Sequence, residues 1–68
     1  MDIPQLRSFL AAAEAASISR AAERLGLAQP TLSQHLGRLE TSLGVRLFDR
    51  LGRGVALTDA GKALLPRA

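Results

Sequence analysis

The sequence contains no cysteine, tryptophan or tyrosine, and it has only one histidine. Without cysteine the chain forms no disulfide, and a single histidine cannot build the usual multi-ligand zinc site. No metal or cofactor is therefore predicted, and an apolar core has to hold the fold together. Hydrophobic residues make up 47% of the chain, which is adequate for that purpose. The absence of cysteine also agrees with a reducing compartment.

Long hydrophobic runs are also missing. Residues 9–16 form an apolar-looking segment, but it is short and interrupted by Glu14, and Asp2 stands at the start of the chain, so no secretory signal is visible. Nothing approaches the roughly 20 apolar residues of a membrane-spanning helix. At 68 residues the chain has room for one small domain. These features predict a soluble cytoplasmic domain without a membrane partner.

Acidic residues are scarce in the second half of the chain. Through residue 30, three arginines balance three acidic residues, whereas residues 31–68 carry six basic and three acidic side chains. The net charge of +3 therefore lies entirely in the second half. Eight of the nine basic residues are arginine, whose planar guanidinium suits phosphate groups. This distribution favours an anionic partner, although a generic basic surface would have the same composition.

The rest of the sequence is organised around residues 28–44. Four leucines recur there at i, i+4, i+7 and i+11, which places them on one side of an α-helix. They are Leu32, Leu36, Leu39 and Leu43. That side is predicted to be buried.

The opposite side of this helix is polar but nearly uncharged. Its predicted members are Pro30, Gln34, Gly37, Arg38 and Thr41, with Gln29 and Ser33 on one flank and Thr31 on the other. An ordinary solvated helix would alternate glutamate and lysine. Amides, hydroxyls and one arginine are instead groups that recognise hydrogen-bond patterns.

Two helices are predicted before this segment. The first spans about residues 4–15 with Asp2 as its cap, and its exposed residues are Gln5, Arg7, Ser8 and Glu14. The second is capped by Ser17 or Ser19 and ends at Gly26. A tight glycine-containing turn then leads into the third helix, so the pair forms a helix-turn-helix. Such units also occur in scaffolds that do not bind nucleic acid.

The pattern changes from helical to extended after Gly44. Residues 45–50 and 55–58 are short, branched or aromatic segments that flank a glycine-containing turn, which predicts a β-hairpin. Arg50 lies at its base and Arg53 at its tip; the alternative is an edge ribbon with solubilising charges. Thr58 and Asp59 then cap a final helix that proline would break at residue 66. Because this helix is short, we expect the full-length protein to continue beyond it.

Six segments carry a resemblance to a known family. They are residues 6–9 (LRSF), 19–25 (SRAAERL), 28–33 (AQPTLS), 39–40 (LE), 43–50 (LGVRLFDR) and 57–61 (LTDAG). Together they resemble the N-terminal winged helix-turn-helix domain of LysR-type transcriptional regulators, over almost the whole chain. The resemblance implies a mainly α winged helix-turn-helix fold with a three-helix core, a two-stranded β-hairpin wing and the start of a linker helix. It divides the chain into a DNA-binding domain, residues 1–58, and the start of a truncated linker or dimerisation helix, residues 59–68.

The same resemblance implies sequence-specific binding of double-stranded DNA by a bacterial transcriptional regulator. In that family the third helix lies in the major groove, and the wing follows the neighbouring backbone or minor groove. Full-length members add an effector-sensing domain, absent from this chain, and form dimers and tetramers; the fragment itself is expected to be largely monomeric. The family contacts correspond to Gln29, Pro30, Thr31, Ser33, Gln34, Arg50 and Arg53.

The chemistry of the residues agrees with these roles. Gln29 and Gln34 are the predicted specificity residues, because glutamine bonds bidentately to adenine. Arginines of the wing neutralise phosphates or enter a narrow minor groove. Ser17 and Ser19, with the amide end of the second helix, are predicted to hold a further phosphate, and Arg38 belongs to the same DNA-binding set.

Four residues depart from the family pattern. Ala28 replaces the serine common before Gln-Pro, so the third helix loses a cap worth about 0.5–2 kcal/mol. Gln34 stands where arginine is frequent, and Gly37 costs roughly 1 kcal/mol relative to alanine inside a helix. Ala16 takes a position where glycine is common. These changes leave the fold intact but affect base preference and contact strength.

Two other classes of function compete with DNA binding. An enzyme is not predicted, because Ser33 and His35 are two residues apart on a helix and do not face each other. His35 is instead predicted to be a flank residue. A protein-interaction module is the stronger alternative, since a fold does not fix a function. The polar helix face lacks the aromatic and large apolar anchors of a protein interface, which favours DNA.

Overall fold

Four helices and one β-hairpin follow one another in the part of the chain that the structure describes. The computed structural model describes residues 2–51 and 54–65. The elements are α1 (Ile3–Ala15), α2 (Ile18–Leu25), α3 (Gln29–Leu43), β1 (Phe48–Arg50), β2 (Val55–Leu57) and α4 (Asp59–Leu64). This order confirms the predicted winged helix-turn-helix. Arg53 at the wing tip and the predicted break at Pro66 lie outside the described residues.

The first two helices begin at side-chain caps. Asp2 Oδ1 accepts a hydrogen bond from the Gln5 N–H at 2.9 Å and starts α1. Ser17, rather than Ser19, caps α2, because its Oγ accepts from the Arg20 N–H at 3.2 Å. At the end of α2, Gly26 adopts a φ of 66°, a left-handed conformation that glycine adopts without strain. The predicted tight turn between α2 and α3 is therefore confirmed.

The core lies where α1, α2, α3 and the hairpin meet. Phe9, Leu32, Leu39 and Leu47 are fully buried, and the rings of Phe9 and Phe48 pack with their centroids 5.5 Å apart. The prediction for the leucine side of α3 holds for its first three members only. Leu43, in the last turn, is 40% exposed, so the core covers α3 only as far as Leu39.

Ser8 contradicts its predicted exposure, since it is completely buried. It lies four residues before Ala12 and one before Phe9, and it therefore shares the buried side of α1. Its hydroxyl forms a 2.8 Å hydrogen bond with Nδ1 of His35 on α3. The pair joins the two helices and satisfies a polar group that burial would otherwise leave without a partner.

The hairpin is shorter than predicted. Its antiparallel register pairs Phe48 with Leu57, Asp49 with Ala56 and Arg50 with Val55. Residues 45–47 were predicted to be in the first strand, but they form the connection that leaves α3 instead. The backbone N–H groups of Leu47, the last residue of this connection, and of Phe48, the first residue of β1, donate to Oε2 of Glu40 at 2.7 and 3.4 Å. One carboxylate of α3 thus fixes the start of the wing.

Two further contacts hold the hairpin against the helices. The Val55 N–H donates to the carbonyl of Ala16 at 3.1 Å, which joins β2 to the turn between α1 and α2. Ala16 has a φ of 52°, a left-handed conformation that favours glycine. On the other side, the Thr58 hydroxyl donates to the Arg46 carbonyl at 2.6 Å and accepts from the Gly61 N–H, so it caps α4 and ties that helix to the wing.

Within the described ranges, no helix is long and apolar enough to cross a membrane.

Candidate nucleic-acid interface

The side of α3 opposite its leucines faces outward, as predicted. The exposed members are Gln29, Pro30, Gln34, Gly37, Arg38 and Thr41, while Thr31 and Ser33 on the flanks are partly buried. A side chain added at Gly37 would have no neighbour within 4 Å. The helix surface is therefore open along its length, and its first half carries most of the hydrogen-bonding groups.

The start of α3 has no side-chain cap. Ala28 has no side-chain hydrogen bond to the helix, and its carbonyl instead accepts from the N–H groups of Thr31 and Leu32 at 3.0 and 3.1 Å. No side chain of the described residues therefore neutralises the positive end of the helix, and Pro30 contributes no N–H to it. The predicted loss of a cap at Ala28 is confirmed. An uncapped helix start attracts anions such as phosphate.

Ser19 of α2 reaches the first residue of α3. Its hydroxyl donates to Oε1 of Gln29 across a distance of 3.1 Å, and both side chains are exposed. The sequence predicted separate roles for them, a phosphate contact for Ser19 and base recognition for Gln29. The structure brings them together as one hydrogen-bonded pair.

A polar cleft separates the starts of α2 and α3 from the wing. It has a volume of about 210 Å³ and is lined by Ser17, Ser19, Gln29 and Arg50, together with apolar residues of α2 and the hairpin. Arg50 is exposed at the end of β1. Three of the predicted contact residues, on three different elements, therefore surround one cleft that contains a positive charge.

From Gln34 onward, the α3 surface forms a second, shallower depression. Gln34, Arg38 and Ser42 line it on α3, and Gln5 of α1 closes one side. Gln34 and Arg38 are four residues apart and thus lie on the same face of the helix. Between the two depressions, Ser33 and Gly37 of α3 line a smaller one together with Arg50, so the wing borders the middle of α3 as well as its start.

Glu40 and His35 help to fix the geometry of this surface, but the sequence predicted no role in it for either residue. Glu40 binds two backbone N–H groups of the wing connection, and its partners could not be deduced because the path of that connection follows from tertiary packing. His35 was predicted only as a flank residue, and its hydrogen bond to Ser8 was missed. The alanine-rich spacing around Ser8 was the available signal, since it places this serine on the packed side of α1.

Metal ligands do not cluster among the described residues. No three of their histidine, aspartate and glutamate side chains come close enough together to hold a metal ion. His35 is engaged with Ser8 rather than with Ser33.

Sequence comparison places the chain among bacterial regulators. Residues 3–62 match the family described as bacterial regulatory helix-turn-helix protein, lysR family. The chain is 59% identical over 68 residues to an uncharacterized HTH-type transcriptional regulator of Azotobacter vinelandii, of which it covers 47%. It is 53% identical over 68 residues to the HTH-type transcriptional regulator ShiR of Corynebacterium glutamicum (strain R), of which it covers 23%. The chain thus spans about half of the first relative and about a quarter of the second.

Solved structures agree with the sequence comparison. A CbnR DBD–DNA complex superposes with a TM-score of 0.90 and 44% identity, over 93% of this chain and 72% of that one. A BenM DBD bound to benA site 1 DNA superposes with a TM-score of 0.87 and 40% identity, over 93% of this chain and 73% of that one. Both similar structures contain DNA.

Proposed function

Because the chain belongs to the lysR family of bacterial regulatory helix-turn-helix proteins, we propose that it binds double-stranded DNA in a sequence-specific manner as part of a transcriptional regulator. The observation that carries this proposal is the outward side of α3. It is exposed, rich in amides and hydroxyls, and adjoins a cleft that contains Arg50. Similar chains were solved bound to DNA.

In the proposed complex, α3 enters the major groove with its first half against the bases. Gln29 and Gln34 recognise base edges, and Pro30 and the methyl group of Thr31 pack against thymine methyl groups. Ser33, on the flank of the helix, bonds either bases or phosphates. These assignments are supported by the burial of the leucine side of α3 in the core, which leaves the polar side to face the DNA.

The basic residues position the domain on the backbone. Arg50 of the wing and Arg38 of α3 are both exposed beside the polar side of α3, so we assign them to phosphates that flank the contacted bases. Arg53 is assigned the same role from the sequence. A protein partner for this face is less well supported, since large aromatic anchors are absent from its described residues.

The rest of the regulator is a separate proposal. We assign residues 1–58 to the DNA-binding domain and α4 to the start of a helix that links it to an effector-sensing domain. The complete protein would act in the bacterial cytoplasm as a dimer or tetramer, each DNA-binding domain contacting one half-site.

The test is titration of a labelled duplex pool with the protein at several salt concentrations, followed by selection from random duplexes. We expect affinity to fall steeply as salt rises, because each neutralised phosphate releases counterions. Selection should return one preferred sequence. Absence of binding at low salt, or binding that does not respond to salt, would contradict the proposal.

A further inference from the structure

The side chains of Ser19 and Gln29 form a hydrogen bond with each other, and neither side chain caps a helix. Ser17 caps α2, so the Ser19 hydroxyl is not used there. Gln29 is the first residue of α3, and its carboxamide does not cap that helix, since α3 has no side-chain cap. Both side chains are exposed beside the cleft that separates α3 from the wing. Their 3.1 Å contact therefore serves neither helix start.

The direction of this hydrogen bond determines what Gln29 presents to a ligand. A carboxamide carries an acceptor oxygen on one side and two N–H donors on the other, and rotation by 180° exchanges them. The Ser19 hydroxyl has one proton, which it donates to Oε1 of Gln29. The oxygen is thus held toward α2, and the Nε2 donors are directed away from Ser19.

We infer that Ser19 is a positioning residue for base recognition, which acts by fixing the orientation of the Gln29 carboxamide. Gln29 then presents its Nε2 donors to the DNA and selects a base edge that offers an acceptor, such as O6 and N7 of guanine or O4 of thymine. This goes beyond the simple expectation that glutamine pairs with adenine. The inference rests on the proposed function, because it requires Gln29 to face DNA.

The same geometry argues against a direct phosphate contact by Ser19. A hydroxyl that donates its proton to Gln29 has none left for a phosphate oxygen. Ser19 would have to release Gln29 before it could bind the DNA backbone. The two roles predict different behaviour and can be separated by experiment.

The experiment compares wild type with Ser19→Ala, Ser19→Thr, Gln29→Ala and the double variant Ser19→Ala/Gln29→Ala, using random-duplex selection and competition binding. Gln29→Ala identifies the base pair that Gln29 contacts. At that pair, Ser19→Ala should reduce the preference by about 2- to 10-fold, the range of one hydrogen bond. The Ser19→Ala variant should also bind duplexes in which that base edge offers a donor, such as adenine N6 or cytosine N4.

Two further results are expected if Ser19 acts through Gln29. Ser19→Thr retains the hydroxyl and should restore the wild-type preference. In the Gln29→Ala background, Ser19→Ala should have no additional effect on preference or affinity. The thermal unfolding midpoint of Ser19→Ala should equal that of wild type, because the hydroxyl is exposed and caps no helix.

The opposite outcomes are equally clear. If Ser19→Ala weakens all duplexes to the same extent, and does so again in the Gln29→Ala background, Ser19 contacts phosphate directly and the inference is wrong. If wild type selects a sequence and Ser19→Ala selects the same one with the same preference, the inference also fails while the proposed function stands. If wild type binds no duplex at any salt concentration, the proposed function itself fails.

Discussion

The two ends of α3 are built in opposite ways. At its start, Ala28 supplies no side-chain cap, and Gln29 and Pro30 are exposed. At its end, the Gly44 N–H donates to the carbonyl of Glu40 at 2.8 Å, while the Glu40 carboxylate accepts from two N–H groups of the wing connection. One end has few internal bonds and the other has many.

This difference separates binding from stability within a single helix. Groups at the start that are not engaged by the fold remain available to DNA, at the cost of a weaker helix start. Bonds at the end fix the orientation of α3 relative to the wing. Substitutions at the two ends should therefore change different measured quantities, and the following predictions test this.

The largest effect is expected for Glu40→Ala. It removes a partly buried carboxylate and leaves the Leu47 and Phe48 N–H groups without their acceptor. We expect the free energy of unfolding to fall by about 3 kcal/mol, measured by urea denaturation. Glu40→Gln is the matched control, since its amide oxygen still accepts and should recover part of the loss. A change below about 0.5 kcal/mol for Glu40→Ala would show that the end of α3 is not specially stabilised.

A smaller effect, on specificity rather than stability, is expected for Gln34→Ala. Loss of its carboxamide should reduce discrimination at one base pair by about 2 kcal/mol, or roughly 30-fold, with unfolding unchanged. Competition binding with singly substituted duplexes measures it. Arg50→Ala is the matched comparison: it should weaken all sequences similarly and lower the salt dependence by about one phosphate contact. An unchanged base preference in Gln34→Ala would remove Gln34 from the recognition surface.

The smallest effect is expected at the start of the helix. Ala28→Ser adds a side-chain acceptor at the helix start, which can share the Thr31 N–H with the backbone carbonyl of residue 28, and it should raise the free energy of unfolding by about 0.5–1 kcal/mol. Ala28→Val is the control, because it adds bulk without an acceptor and should not stabilise α3. Chemical denaturation of the three proteins compares them. Equal stability of the serine variant and wild type would mean that the start of α3 is already satisfied in another way.

Much of this architecture was predictable because local chemistry determines it. The caps at Asp2 and Thr58, the glycine turns and the leucine spacing of α3 all act within a few residues. The outward side of α3 follows from the same helical periodicity. The order of the elements followed from these local patterns, and the family resemblance then supplied the proposed contacts, including Gln29 and Gln34.

The features that the sequence did not reveal depend on contacts between distant segments. Ser8 is buried only because α3 packs over it, 27 residues away in sequence at His35. Residues 45–47 have strand-forming side chains, but the N–H of Leu47 donates to the Glu40 carboxylate instead of to a neighbouring strand, so the hairpin begins only after it. The Ser19–Gln29 pair forms because the helix-turn-helix angle brings two helix starts together. Helical spacing could have indicated that Ser8 is buried, but its bond to His35 and the other two features do not follow from periodicity or spacing.

The wing is attached to the helices at both of its strands. Glu40 holds the start of β1, and Ala16 holds the start of β2 through the Val55 N–H. Gly54 lies so close to the Ala16 carbonyl that any side chain there would collide with it. These contacts hold Arg50 at a fixed distance from α3, and we expect a bound duplex to adjust its groove width to that distance. Sequence preference should then extend to base pairs that no side chain touches, because their stiffness decides how easily the duplex conforms.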